Sequence, residues 1–157
     1  MNVGVSGHQS IPPDALRFIT QGIDQILTQV SGPLTGISSL AAGADQLFAN
    51  AVLARGGSLQ IVIPASHYDT TFGSVRDREA YESLLERAAS VEQLPYDKPS
   101  EQAFLAAGKR IVDRARLLIA VWDGLPSRGK GGTADVVAYA RDRGVPVKII
   151  WPRGILR

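Results

Sequence analysis

Three short turns carry the residues whose types and spacing could do chemistry: Gly4-Val5-Ser6-Gly7-His8-Gln9, Ser38-Ser39-Leu40-Ala41-Ala42-Gly43-Ala44-Asp45 and Gly129-Lys130-Gly131-Gly132-Thr133-Ala134-Asp135. Each follows an apolar run and precedes a helical pattern. A helix start offers unpaired backbone N–H groups and the positive end of the helix dipole, so a glycine-lined turn there is a natural seat for phosphate. Ser6, Gly7 and His8, then Ser39, Gly43, Ala44 and Asp45, then Gly131, Gly132 and Thr133 are the candidate ligand contacts. Arg128 and Lys130 flank the third turn as candidate cationic partners for phosphate. Glycine after a strand also serves turn geometry alone.

Two acids are candidates for catalysis. Asp135 lies in the first turn of the last helix, where it could reach a bound sugar, and equally could do no more than favour the helix dipole. Asp123 ends an apolar strand and precedes Gly124, a place for contacts to ribose hydroxyls or for a plain turn aspartate. Asp45 reads more readily as a helix-start acid than as a ligand contact. His8 could act in acid–base or phosphate chemistry or merely cap its turn, and Tyr68, Phe72 or Trp122 could cover a base, with packing the alternative for these three. No His, Cys or carboxylate cluster has metal-ligand spacing, and neither a metal nor another cofactor is implied.

The elements that must position these residues alternate along the whole chain. Strand-like runs at Val3–Ser6, Leu34–Ser38, Leu59–Ile63, Val91–Leu94, Leu117–Trp122 and Val145–Trp151 are separated by helical periodicity. This is the pattern of an α/β, Rossmann-like, open and mainly parallel sheet of about six strands with helices on both faces. The first helix begins at Pro12-Pro13-Asp14 and repeats apolar residues at Leu16, Ile19, Ile23, Ile26, Leu27 and Val30; Ser100 is placed to cap the helix over 101–114. The stretch 66–74 reads as a surface loop. On this scheme the first strand lies centrally beside the second and the Leu117 strand, and the three turns share the rim where open α/β sheets bind ligands.

The 157 residues, 45% hydrophobic and 20% charged, suit one domain spanning the chain, with a sizeable core. The absence of cysteine excludes disulfides, thiolate metal sites and thiol nucleophiles. No leader segment and no apolar run near the roughly 18 residues of a membrane helix are present, so a cytoplasmic location is expected. A net charge of +2 with dispersed basic residues gives no nucleic-acid stripe. The turns match neither Walker A nor the G-x-G-x-x-G fingerprint, which argues against an NTPase or an ordinary NAD dehydrogenase.

Val5-Ser6-Gly7-His8, Leu40-Ala41-Ala42-Gly43-Ala44-Asp45, and Leu118-Ile119-Ala120-Val121-Trp122-Asp123-Gly124 followed by Gly131-Gly132-Thr133-Ala134-Asp135 resemble the SLOG superfamily over nearly the whole chain. That superfamily includes LOG-type phosphoribohydrolases, long mislabelled lysine decarboxylases, and the DNA-processing protein A fold. The resemblance implies a Rossmann-like domain that binds a nucleotide or nucleotide-derived ligand, as a sensor or a processing module. It leaves two alternatives: cleavage of the N-glycosidic bond of a nucleoside 5′-monophosphate, and nucleic-acid binding of the DNA-processing type. Gly131, Gly132 and Thr133 match the family's phosphate loop, but its Pro-Gly-Gly-x-Gly-Thr-x-x-Glu ends here in Val136, and its Arg-Lys pair has only Lys109 and Arg110 nearby. The expected partner is a small nucleotide-like molecule, not a membrane and not nucleic acid, in a self-associating protein.

Overall fold

The computed structural model describes residues 1–127, 129 and 132–156. Six strands alternate with five helices: β1 (Asn2–Gly7), α1 (Pro13–Thr28), β2 (Thr35–Ser38), α2 (Ala44–Ala54), β3 (Ser58–Ile63), α3 (Val75–Glu86), β4 (Ser90–Gln93), α4 (Glu101–Arg114), β5 (Leu117–Val121), α5 (Thr133–Asp142) and β6 (Val147–Ile150). All pairs are parallel, in the order β4-β3-β2-β1-β5-β6. The chain therefore runs outward from β1 to the β4 edge and then returns to place β5 on the other flank of β1. Strand order reverses between β1 and β5, whose carboxyl ends meet at the Gly7–Val121 pair. In open α/β sheets that reversal leaves a crevice.

Residue alternation on the strands sorts the helices onto two faces. Val3, Val5, Leu59, Ile61, Leu117 and Ile119 point into one core with α1, α2 and α3. The alternate residues Ile37 and Val62 meet Ala107 and Ile111 of α4, and Leu118 packs with Val112, Val136 and Ala140. The helices come close where the strand lacks a side chain: a Cβ on Gly4 would lie 2.7 Å from Ile111, and one on Gly36 2.7 Å from Val52. In α1 the buried stripe is Ala15, Ile19, Ile23 and Leu27, a strict four-residue repeat. Leu16, expected in that stripe, is exposed. Proline at the first position of α1, where its missing N–H costs nothing, and Ser100 at the cap of α4, whose Oγ accepts from Ala103 N at 3.0 Å, start their helices as the sequence predicts.

Candidate functional site

The first two turns are interlocked. His8 N donates to Val121 O at 3.1 Å, and His8 O accepts the first amide of α2, from Ala44, at 3.2 Å. Gly7 lies where a Cβ would be 2.5 Å from the Ala44 methyl, and a Cβ on Gly43 (φ 80°) would run into the carbonyls of His8 and Gln9. Gly7, Gly43 and Ala44 are thus small because one turn packs on the other. Between them Leu40 adopts a left-handed conformation (φ 57°) while fully buried, its N–H held by Ser38 Oγ at 2.9 Å. Such a backbone costs a leucine about 1–2 kcal/mol, so the surrounding packing must over-determine it.

That interlock shapes a pocket of about 90 Å³ over the carboxyl ends of β1, β2 and β3. Ser6, Gly7 and Gln9 come from the first turn, Ser39 and Asp45 from the second, Tyr68 from a 3₁₀ turn at Tyr68–Thr71. Phe104 and Gly108 of α4 and Val136 of α5 form the opposite wall, with Val136 filling the gap at Gly108, where a Cβ would lie 2.5 Å away. Asp45 is 7% exposed and its Oδ2 accepts from Ala41 N at 3.2 Å. Burial pushes its carboxyl up to about 7, against the opposing pull of hydrogen bonds from the Ala41 and Ser39 backbone and the Ser38 hydroxyl. Desolvation outweighs the helix start here.

Tyr68 stands out against the expectation of a surface loop. It is 5% exposed, and its ring meets Phe72, Tyr81 and Phe104 edge-on at centroid distances of 5.5, 5.5 and 6.3 Å. Its phenol is pushed well above the usual range, first by burial and then by the nearby Asp45 and Tyr81. The hydroxyl makes no hydrogen bond to another described residue. Phe72 stacks on Tyr81 at 4.8 Å, within the same cluster.

His8 and Asp123 form a second constellation on the other side of β1. Nε2 of His8 lies 3.3 Å from Asp123 Oδ1 and 3.2 Å from Asp123 N, both side chains being 5% exposed. The two contacts belong to different protonation states, since a neutral Nε2 accepts from the amide and a protonated one donates to the carboxylate. Asp123 Oδ1 also accepts from Leu125 N at 3.0 Å, and His8 meets the Trp151 ring edge-on at 5.2 Å. Trp122 donates to Leu125 O at 2.9 Å, folding its indole onto its own loop. None of these five residues lines the rim pocket.

Of the third turn, Arg128, Lys130 and Gly131 lie outside the described residues. Gly132 precedes α5 and packs on Ser127, and Thr133 is buried. Asp135 N donates to Ser127 Oγ at 3.3 Å, and its side chain is half-buried outside the pocket, whereas Val136 lines it. Lys109 lies over the Tyr139 ring and Arg110 pairs with Glu92 at 2.9 Å, both away from the pocket. Sequence reasoning did not single out Gln9, Phe104 or Gly108; a glycine inside the α4 pattern was the one available signal of a close approach. Among the described residues no group of three or more His, Asp or Glu could hold a metal, and no helix is long and apolar enough to cross a membrane.

The architecture and interlocked turns define an open, parallel, Rossmann-like α/β fold, the fold that the sequence motifs imply. Among solved structures the chain is similar to DNA processing protein A from Streptococcus pneumoniae (TM-score 0.71, 19% identity, 98% of this chain and 51% of that one). It is similar also to DNA processing protein A from Helicobacter pylori, described for its single-stranded DNA binding mode (TM-score 0.72, 13% identity, 98% and 66%). A third is the molybdenum cofactor binding protein from Rippkaea orientalis (TM-score 0.58, 18% identity, 94% and 74%). The chain thus spans about half of the first and under two thirds of the second. No family model matches the chain, and no curated protein matches it either. The expectation that nucleic acid is not a partner gains no support from these neighbours.

Proposed function

We propose that the chain binds a nucleotide or nucleotide-derived ligand at the carboxyl rim of its sheet, as a sensor or ligand-processing module. The observation that carries this reading is the pocket at that rim, walled by the first two turns and by α4 and α5, with a buried carboxyl, hydroxyls and aromatic rings converging on it. A thermal-shift screen against nucleoside mono-, di- and triphosphates, NAD, ADP-ribose and cyclic nucleotides tests it. A ligand at about a hundredfold its Kd adds about 2.7 kcal/mol and raises the midpoint visibly. No shift with any of them sinks the reading.

A second reading, single-stranded DNA binding, is favoured by the likeness to the Helicobacter protein. It predicts affinity that falls steeply with salt. The phosphoribohydrolase alternative draws less support, because Val136 lines the pocket where the LOG loop has its catalytic Glu and Asp135 stands outside. Release of free base, abolished in Asp135→Asn with binding retained, would restore it.

A further inference from the structure

The lining of the rim pocket carries a finer statement about what it takes, and this rests on the nucleotide reading above. Among the described residues that form it there is no lysine, arginine or histidine, and Asp45 is the sole carboxylate. A phosphate placed deep in it would face a buried acid with no compensating cation among the described residues. Two polar groups remain to be used there. Asp45 keeps about one carboxylate lone pair beyond those given to the Ala41 and Ser39 backbone and the Ser38 hydroxyl, and the Tyr68 hydroxyl, on a residue 5% exposed, has no hydrogen-bond partner among the described residues. A hydroxyl that opens on a pocket without a protein partner marks a place where water or ligand completes the bonding.

We propose that Asp45 and Tyr68 together read an uncharged ring edge carrying a hydrogen-bond donor beside an acceptor, with the ligand's phosphate held outside the pocket. A ribose cis-diol and the lactam edge of a nucleobase share this chemistry. The donor goes to the Asp45 carboxylate and the acceptor takes the Tyr68 proton. The rest of the surroundings fits an uncharged group: Ser6 and Gln9 face the pocket from the first turn, Ser39 from the second, and α4 and α5 contribute only apolar groups. Because burial raises the Asp45 carboxyl to about 7, binding that requires its ionised form releases a proton near neutrality.

Calorimetric titration of the full chain with AMP, GMP, their 2′-deoxy forms and inorganic phosphate, at pH 6 and pH 8, tests this. The nucleotide that binds should do so about tenfold more tightly at pH 8 than at pH 6. Asp45→Asn should remove that pH dependence, and Tyr68→Phe should weaken binding about tenfold while keeping it. Loss on 2′-deoxygenation assigns the edge to the ribose, and a preference for GMP over AMP that survives deoxygenation assigns it to the base. Equal affinity in both variants with no pH dependence overturns this proposal and leaves the nucleotide site standing. Inorganic phosphate binding that competes with nucleotide and is lost in Asp45→Asn also overturns it, by putting phosphate in the pocket. Failure of AMP, GMP and their 2′-deoxy forms to bind the unaltered chain overturns this proposal, and the nucleotide reading falls with it only if the wider thermal-shift screen is blank as well.

Discussion

The two flanks of β1 hold similar materials put to different ends. Each has a buried aspartate just beyond a strand on the same rim: Asp45 on the β2 side and Asp123 on the β5 side. Asp123 is enclosed by its neighbours, with His8 Nε2 at 3.3 Å and Leu125 N at 3.0 Å, and Trp151 closing over the imidazole. Asp45 is anchored by Ala41 N at 3.2 Å, with the Ser39 backbone and the Ser38 hydroxyl also bonded to its carboxyl, yet it still borders a pocket. Burial of an acid is therefore not by itself a sign of function. What separates the two is whether the remaining lone pairs face protein or space.

Both flanks hang on the interlock of the turns, so the largest expected effect is at Gly43. In Gly43→Ala the new methyl meets the His8 and Gln9 carbonyls at a positive φ, and the sum of backbone strain and overpacking is about 4 kcal/mol. Chemical denaturation should show the loss, with nucleotide affinity and the His8–Asp123 contact disturbed together. A loss under about 1 kcal/mol would mean that the turns are not locked and that the two flanks are independent.

Asp45→Asn comes next, and its sign depends on pH. A carboxyl raised from 3.8 to about 7 keeps its proton in the folded chain after the unfolded chain has released it. Stability then falls as pH rises from about 4 to 7 and is level on either side of that window. At about 1.4 kcal/mol per unit the full effect is up to about 4 kcal/mol. Asparagine resembles the protonated form and keeps an acceptor for Ala41 N, so the variant should match the parent at pH 4 and exceed it by about 2–4 kcal/mol at pH 8. A parallel pH profile for the two proteins would place Asp45 in water and erase the contrast with a solvated acid.

These features differ in how far the sequence reveals them. The parallel sheet is legible because buried strands are short apolar runs between helical repeats, and the capping role of Ser100 is legible because capping is local. Asp45 is not, since an acid in the first helical turn is the ordinary choice for an exposed helix start, and only the packing of Tyr68 and the first turn around it removes water. Tyr68 itself sits in His67-Tyr68-Asp69-Thr70-Thr71, a polar string with the composition of a surface loop. Its partners Tyr81 and Phe104 lie 13 and 36 positions further on, beyond any local pattern. Leu40 carries no sign of its left-handed backbone, because a residue other than glycine or asparagine reaches that region only under tertiary constraint.

A smaller effect is expected on the closed flank. Asp123→Ala removes the acceptor of Leu125 N and the contact with His8, worth about 1–3 kcal/mol for buried polar partners left behind. Nucleotide affinity should be unchanged, because Asp123 does not line the rim pocket. A well-folded Asp123→Ala protein that no longer binds nucleotide would move the site across β1 and reverse the assignment of the two flanks.

The smallest change in stability belongs to Tyr68→Phe, and it is the sharpest probe of openness. Had the hydroxyl been satisfied within the fold, its removal would strand a partner and cost about 1–3 kcal/mol. With no described partner to strand, and the ring contacts with Phe72, Tyr81 and Phe104 kept, the cost should stay below about 1 kcal/mol in denaturant unfolding. A loss beyond 2 kcal/mol, in the same units and on the same scale, would show that the β2 flank is as closed as the β5 flank. The carboxyl of Asp45 would then be a second structural acid, and the difference between the flanks would vanish.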